Sequence, residues 1–483
     1  MKLNASGLRS IRKVDECLVS YNIEMTEITG GTFWKAYTPE QIAGTEPVPK
    51  ITDFSQLADM MQYYDPIDLT EEKICTYGKA LGKAWIRVSG SWATDTYYDF
   101  DGHTGGVVPE GYRAILTRAR WTQLLDFVKA VDGKLLISVS NCRGDHLGGK
   151  PWTPEQAKLL FDFSRDYGVP IQAAEFMNEP NVMGVNLPAD GYTAADYSRD
   201  QDAFYRFVRQ NYPEVLLVGP CCCGDATVKD QETLSQAIRA IPTADLMRNC
   251  TEKPDVFSYH SYAGISERGA AMGGHWDASE TLSDAYLGVA AGAAKFYAQM
   301  RDTYCPGGQM WVTESADAGM GGNTWGSTYL DVMRYAEELC SFATVTDGVI
   351  FHNTLASSDY GLLDHSTHQP RPNYWLVYLW QHLIGQEIYA VEDAKHLYAW
   401  ARKDGKPGYV YVAINNGQTP LELDVPADSQ LYQLHANELR GHEILLNGKR
   451  MERKADGAMP ELEPVAAEGQ ISLPAASVAF IVV

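Results

Sequence analysis

Through residues 17–385, short apolar runs rich in β-branched and aromatic residues alternate with stretches whose apolar positions recur at helical spacing. Eight runs stand out: Leu18–Glu24, Ala84–Ser89, Lys134–Ser140, Ile171–Met177, Val215–Pro220, Val256–His260, Met310–Glu314 and Val349–Asn353. An apolar strand followed by an amphipathic helix is the unit of a parallel sheet, and eight such units exceed what a six-stranded nucleotide-binding sheet uses. The pattern predicts an α/β fold built on a (β/α)8 TIM barrel with long loops over 17–385. Thr153-Pro-Glu-Gln156 reads as an N-cap, a proline at the first helical position and a capping-box glutamine, opening a helix to Phe163. A further helix is expected over Tyr329–Phe342.

After Gly385 the pattern changes to short alternating runs: His396–Trp400, Tyr409–Ile414, Leu421–Val425, Leu431–Leu434 and Ser477–Val483. Turn clusters at Asn415-Asn-Gly-Gln418 and Asn447-Gly-Lys449 lie between them, without a convincing helical period. Residues 386–483 are therefore expected to form an antiparallel β-domain.

Composition narrows the partners. A chain of 483 residues that is 45% hydrophobic holds enough apolar material for one large domain and a smaller one. Its 62 acidic against 40 basic residues, a net charge of −22, would repel nucleic acid, anionic membranes and long polyanions, so neither nucleic acid nor membrane is an expected partner. Nine cysteines, three of them consecutive at Cys221–Cys223, do not resemble a paired disulfide framework. Reduced thiols fit better, and those three read as small apolar fillers beneath a loop in preference to reactive groups. Met1–Lys13 lacks a continuous apolar core and no segment reaches 18 uninterrupted apolar residues, which points to a cytoplasmic protein, with a secreted form as the alternative if a leader has been removed. No His-Glu-x-x-His, Gly-x-Ser-x-Gly or paired Cys-x-x-Cys motif occurs, so no metal, cofactor or serine nucleophile is expected.

The candidate chemistry lies at strand ends. Glu179, in Asn178-Glu179-Pro180, is expected to close the fourth strand, and Glu314 the seventh. Residues at the carboxyl ends of barrel strands point into the top-face site, and strands four and seven face each other, so these carboxylates can flank one scissile bond. That is the arrangement of a glycosidase acid and nucleophile, at roughly 5–5.5 Å for a retaining enzyme. Asn178, beside the acid, can hold a sugar 2-hydroxyl. Tyr262, at the end of strand six, can hydrogen-bond the nucleophile, whereas His260 is equally readable as a brace for the acid or a structural histidine. Arg87 on strand two would hold a nucleophile's pKa down, or belong to a core salt bridge. The loop Asp317–Gly322 contains three glycines and neither Lys nor Arg, as a main-chain anion nest or a plain turn would.

Val312–Gly385 resembles the heparanase and β-glucuronidase enzymes of glycoside hydrolase family 79. The resemblance is carried by Glu314 with its glycine-rich loop, Asp359-Tyr-Gly-Leu-Leu-Asp364, and Pro372-Asn-Tyr-Trp375 leading into Leu376–Ile384. It extends more weakly through Ile23-Glu24, Arg87–Ser91, Asn178-Glu179-Pro180 and His260–Tyr262. It implies Glu179 as acid/base, Glu314 as nucleophile, and Tyr262 and Tyr360 as tyrosines around the nucleophile. Asn178, Glu24 and Ser91 would contact sugar hydroxyls, and main-chain amides near Met320 and Gly321 would hold a sugar carboxylate; their strand-end positions add Arg87 and His260 as further substrate-binding candidates. It further implies that the C-terminal domain is a β-sandwich completed by residues 1–16. Departures are Glu24 in place of an aspartate, Ser91 in place of a threonine, Met320 in place of a glycine, and the cysteine run after strand five.

The resulting expectation is a retaining exo-β-glucuronidase acting on small or oligosaccharide glucuronides. The alternatives are heparanase-like endo cleavage of glycosaminoglycan, a retaining clan A enzyme for a neutral sugar, and a non-catalytic carbohydrate-binding barrel. Exo action is favoured by the acidic balance, the lack of clustered Lys and Arg in loops after strands four to eight, and insertions at Tyr97–Arg113 and Asn181–Tyr197 able to wall off a cleft.

Overall fold

The protein is described by a computed structural model covering residues 1–52, 54–182, 187–226, 229, 233–234 and 240–483. Part of the Asn181–Tyr197 insertion, residues 183–186, lies outside the described residues.

Eight parallel strands close into a barrel: Val19–Glu24, Trp85–Ser89, Lys134–Ser138, Ala173–Glu175, Leu216–Cys222, Val256–Tyr262, Gln309–Ala316 and Ile350–His352. The last pairs with the first, Ile350 opposite Val19. Alternation along each strand layers the interior. Trp85, Leu136, Ala173, Val218, Val256, Trp311 and Phe351 form an apolar plug with Cys17 and Val349. Two residues further along, where the same face recurs, come Arg87, Ser138, Glu175, Ser258, Thr313 and Asn353, all buried and polar. The floor of the top face is thus a polar layer resting on an apolar one.

Three local expectations need correction. The helix after strand three is Glu155–Asp166, with Pro154 in the capping position and no side-chain cap bond. Gln156 Oε1 accepts the Tyr98 N–H at 2.7 Å, and so is not available to box in Thr153. Strand four ends at Glu175, so Glu179 does not close it; it lies on the following loop with a left-handed φ of 43°. The helix expected over Tyr329–Phe342 is a 3-10 turn, Tyr329–Asp331, running into the α-helix Val332–Val345.

The C-terminal strands form a nine-stranded antiparallel sheet that also takes in Ser10–Lys13, paired with Ile384–Tyr389. The helix expected over Leu376–Ile384 is Pro372–Leu383, and Ile384 opens the strand Ile384–Tyr389. The runs at Leu421 and Leu431 are one strand, Leu421–His435, bent at a bulge. Alternation again sets the packing: Tyr409, Tyr411, Ala413, Ala479 and Ile481 face a core of their own with Leu423, Val425 and Leu473. Val410, Val412, Ile414, Val478 and Phe480 pack into the barrel's core, where Trp380 meets Trp400 at 5.1 Å between ring centroids. All nine cysteines are free. Among the described residues no helix is long and apolar enough to cross a membrane.

Candidate active site

Arg87 organises the floor. It is wholly buried and donates from Nε to Glu175 Oε2 at 2.8 Å, from Nη1 to Glu314 Oε1 at 3.0 Å and from Nη2 to Asn178 Oδ1 at 2.8 Å. Its Nη2 also lies 3.3 Å from His260 Nε2. A guanidinium only donates, so Nε2 accepts and the imidazole proton resides on Nδ1, which donates to Glu179 Oε1 at 3.0 Å. Burial opposes the guanidinium charge, yet Glu175 and Glu314 more than restore it. Arg87 therefore lies beneath the site and holds its carboxylates; it does not stand on the cavity wall as a sugar contact.

Glu314, on strand seven, is buried, which by itself favours the neutral acid; the positive end of the His260 Nδ1–H, the Arg87 guanidinium and the Tyr262 hydrogen bond outweigh this and hold its pKa below the usual carboxylate value. Tyr262 donates its hydroxyl to Glu314 Oε2 at 2.6 Å. Burial, then the Glu314 charge, push the phenol's pKa well up, so it remains a donor. Asn353, at the end of strand eight, donates to the hydroxyls of both Tyr262 (3.0 Å) and Tyr360 (3.2 Å) and is itself held by Asn22 at 3.0 Å. Glu24 closes strand one against Gly90, where an added Cβ would come within 1.8 Å of its Oε2. Burial, then the charges of Glu314 and Glu27, drive the Glu24 pKa well above the usual carboxylate value.

A cavity of about 650 Å³ opens above these groups, lined by Glu24, Ser91, Asn178, Glu179, His260, Tyr262, Glu314, Met320, Asn353 and Tyr360. One oxygen of Glu179 and one of Glu314 lie within 4.8 Å of each other, with a His260 nitrogen at the same range. Ser91 opens a short helix, Ser91–Thr94, at the end of strand two. Gly321 lies behind Trp34, where a Cβ would meet the indole at 2.6 Å, and is not part of the wall. In the same loop the Gly319 N–H is committed to Gly264 O at 3.0 Å.

Glu179, His260 and Glu314, and separately Asp99, Asp101 and His103, have spacings able to hold a metal ion. In the first group Arg87 already supplies a fixed cation 3.0 Å from Glu314, and a second would be repelled.

The sequence reading missed Glu175, Asn353 and Cys223. Glu175 carried a signal: a charge inside an otherwise apolar strand demands a buried partner, as does Arg87. Asn353 stood at a strand's carboxyl end. Cys223 lines the cavity and hydrogen-bonds Glu179, which no local pattern announces. The cavity's far side is walled by Trp34 and by Phe33 packed edge-on against Trp92 at 4.6 Å; Phe33 and Trp34 come from the hairpin Gly31–Trp34/Met61–Tyr64.

No family model matches the chain. It is 24% identical over 459 residues to heparanase-like protein 1 of Arabidopsis thaliana, covering 83% of this chain and 81% of that protein. To the baicalin-β-D-glucuronidase of Scutellaria baicalensis it is 22% identical over 402 residues, covering 77% and 72%. A solved structure of a 4-O-α-L-rhamnosyl-β-D-glucuronidase from Fusarium oxysporum superposes with a TM-score of 0.62 at 11% identity, over 99% of this chain and 97% of that one. That likeness is one of fold, barrel and β-domain together. The chain is thus similar to the heparanase-like proteins and β-glucuronidases of glycoside hydrolase family 79, and it is a glycoside hydrolase.

Proposed function

We propose that this glycoside hydrolase is a retaining exo-β-glucuronidase. The observation that carries the reading is the pair Glu179 and Glu314, with oxygens within 4.8 Å and only Glu314 bound to Arg87. So short a separation leaves no room for a water between carboxylate and sugar, as an inverting enzyme requires, and suits direct attack. A Glu314 oxygen bonds to the anomeric carbon; the glycosidic C–O bond breaks, its electron pair goes to the leaving oxygen, and that oxygen takes the proton of Glu179. Glu179, now a carboxylate, deprotonates a water that attacks the same carbon, the ester to Glu314 breaks, and the sugar leaves with its β-configuration retained. Arg87 and Tyr262 keep Glu314 ionised and aimed throughout. Glu24 and Asn178 are suited to sugar hydroxyls, and the Met320 main-chain N–H, on the cavity wall, to a carboxylate at C6. Exo action is supported by the wall of Phe33, Trp34 and Trp92 beyond Glu24 and by the net charge of −22.

The test is a set of aryl β-glycosides differing only at C6. The glucuronide should exceed the glucoside by about tenfold or more, since a charge-assisted hydrogen bond contributes about 1.5–3 kcal/mol; equal rates would sink the sugar assignment. NMR of the first-formed product should show the β-anomer. From heparan or hyaluronan the enzyme should release monomer, and early mid-sized fragments would mean endo action.

A further inference from the structure

The cavity has a second compartment, on the side of Glu179, that the hydrolysis itself does not use. Val182 lies one turn beyond the acid, its N–H bonded to Glu179 O at 3.0 Å. Cys223 touches the acid and is pinned by Asn181, which accepts the Cys223 N–H at 3.1 Å and donates to Cys223 O at 2.7 Å. Ala226, Leu234, Ile265 and Met272 complete the wall; Val182 and Leu234 pack with Cys223 and Ile265 as an apolar cluster separate from the main core. Its residues are remote in sequence, and are joined because the loops after strands four, five and six meet over the barrel.

Chemistry assigns the occupant. The acid protonates the leaving oxygen, so whatever lies beside Glu179 on the side away from Glu24 is the leaving group. Among the described residues no lysine or arginine lines this compartment. Lys229, in the same loop region, is engaged by both Glu280 oxygens at 2.7 and 3.0 Å. Arg113 stands on the Trp92 side, paired with Asp95 at 2.9 Å. A sulfated or uronate sugar placed here would lose water from its anions and meet no cation in return. A flat hydrocarbon ring loses nothing and gains contact with Val182, Leu234 and Ile265, and with the sulfurs of Cys223 and Met272, which pack well on aromatic rings.

We infer that the compartment formed by Val182, Cys223, Ala226, Leu234, Ile265 and Met272 is an aglycone site for an apolar, aromatic alcohol, so that the substrates are glucuronides of phenolic small molecules. This rests on the acid role of Glu179 and the glucuronidase reading above.

The experiment compares phenyl and 2-naphthyl β-glucuronides, whose leaving groups are nearly equally acidic, so that a rate difference reports binding of the added ring. With four more carbons to bury, kcat/KM should favour the naphthyl substrate by about tenfold or more. Free 2-naphthol should inhibit competitively. In Ile265→Asn and Val182→Ser the preference should fall below about threefold, while turnover of methyl β-glucuronide, whose aglycone does not reach the wall, stays close to wild type. Equal kcat/KM for the two aryl substrates in the wild-type enzyme, or a preference unchanged in both variants, overturns the inference. If glucuronides fail altogether, naphthyl and phenyl glycosides of the sugar that does react serve instead. A naphthyl preference there keeps the aglycone site and discards the glucuronate, and its absence discards both.

Discussion

The two carboxylates proposed as acid and nucleophile lie within 4.8 Å of each other, yet the regions that hold them are built from different material. Glu314 sits on a long strand, its side chain 6% exposed, between a buried guanidinium and a phenol that is itself held by Asn353. Glu179 sits on a loop in a left-handed conformation, its side chain 21% exposed, with an imidazole and a thiol as neighbours. The difference fits the roles proposed for them. A nucleophile must stay ionised and still, so it is fixed by charge on the stiffest part of the barrel. An acid that becomes a base within one turnover must change its charge, and a permanent cation against it would prevent the return to the protonated form.

Removing the two carboxylates should sharpen this contrast most. Glu314→Gln is expected to lose about four orders of magnitude or more in turnover on every substrate, because no other group can form the covalent bond. Glu179→Gln should lose about 10²- to 10⁴-fold on poor leaving groups and far less on activated aryl ones, which need little protonation. A uniform loss across leaving groups in the Glu179 variant would break the assignment of the acid.

Next in size is Arg87→Met. It leaves Glu175 and Glu314 buried without their partner, a loss of about 3–5 kcal/mol in folding stability, measured by denaturant unfolding. A change below about 1 kcal/mol would mean that the floor does not depend on this ion network.

The smallest expected effect is that of Tyr262→Phe, which removes one hydrogen bond to a charged group, about 1.5–3 kcal/mol. Because that bond lowers the Glu314 pKa, its loss raises it. The acid limb of kcat/KM against pH should move to higher pH, with the basic limb unmoved. A shift of the basic limb alone would reverse the roles given to the two halves.

The same division governs what could be read in advance. The eight strands, Glu314 and Tyr262 were legible because a barrel strand advertises itself locally: its apolar run has a length, its side chains a period of two, and its last residues a destination. Glu179 was legible as a residue but not as a place, since strand four stops at Glu175 and the loop beyond has no period to follow. The helix start at Glu155 was misread for a related reason, because Gln156 is taken by Tyr98 from a different segment.

What the chain determined by itself was the alternation, and with it the barrel, the β-domain and the two acidic residues at the top face, because each depends on neighbours within a few positions. What only the tertiary structure decided was which groups share a charge or a surface. Arg87 finds Glu175 and Glu314 from 88 and 227 residues away, and Val182, Leu234 and Ile265 meet from three separate loops. Burial makes an unpaired charge or an uncovered apolar wall expensive, but only closure of the barrel brings the partners together, and no spacing along the chain encodes that closure.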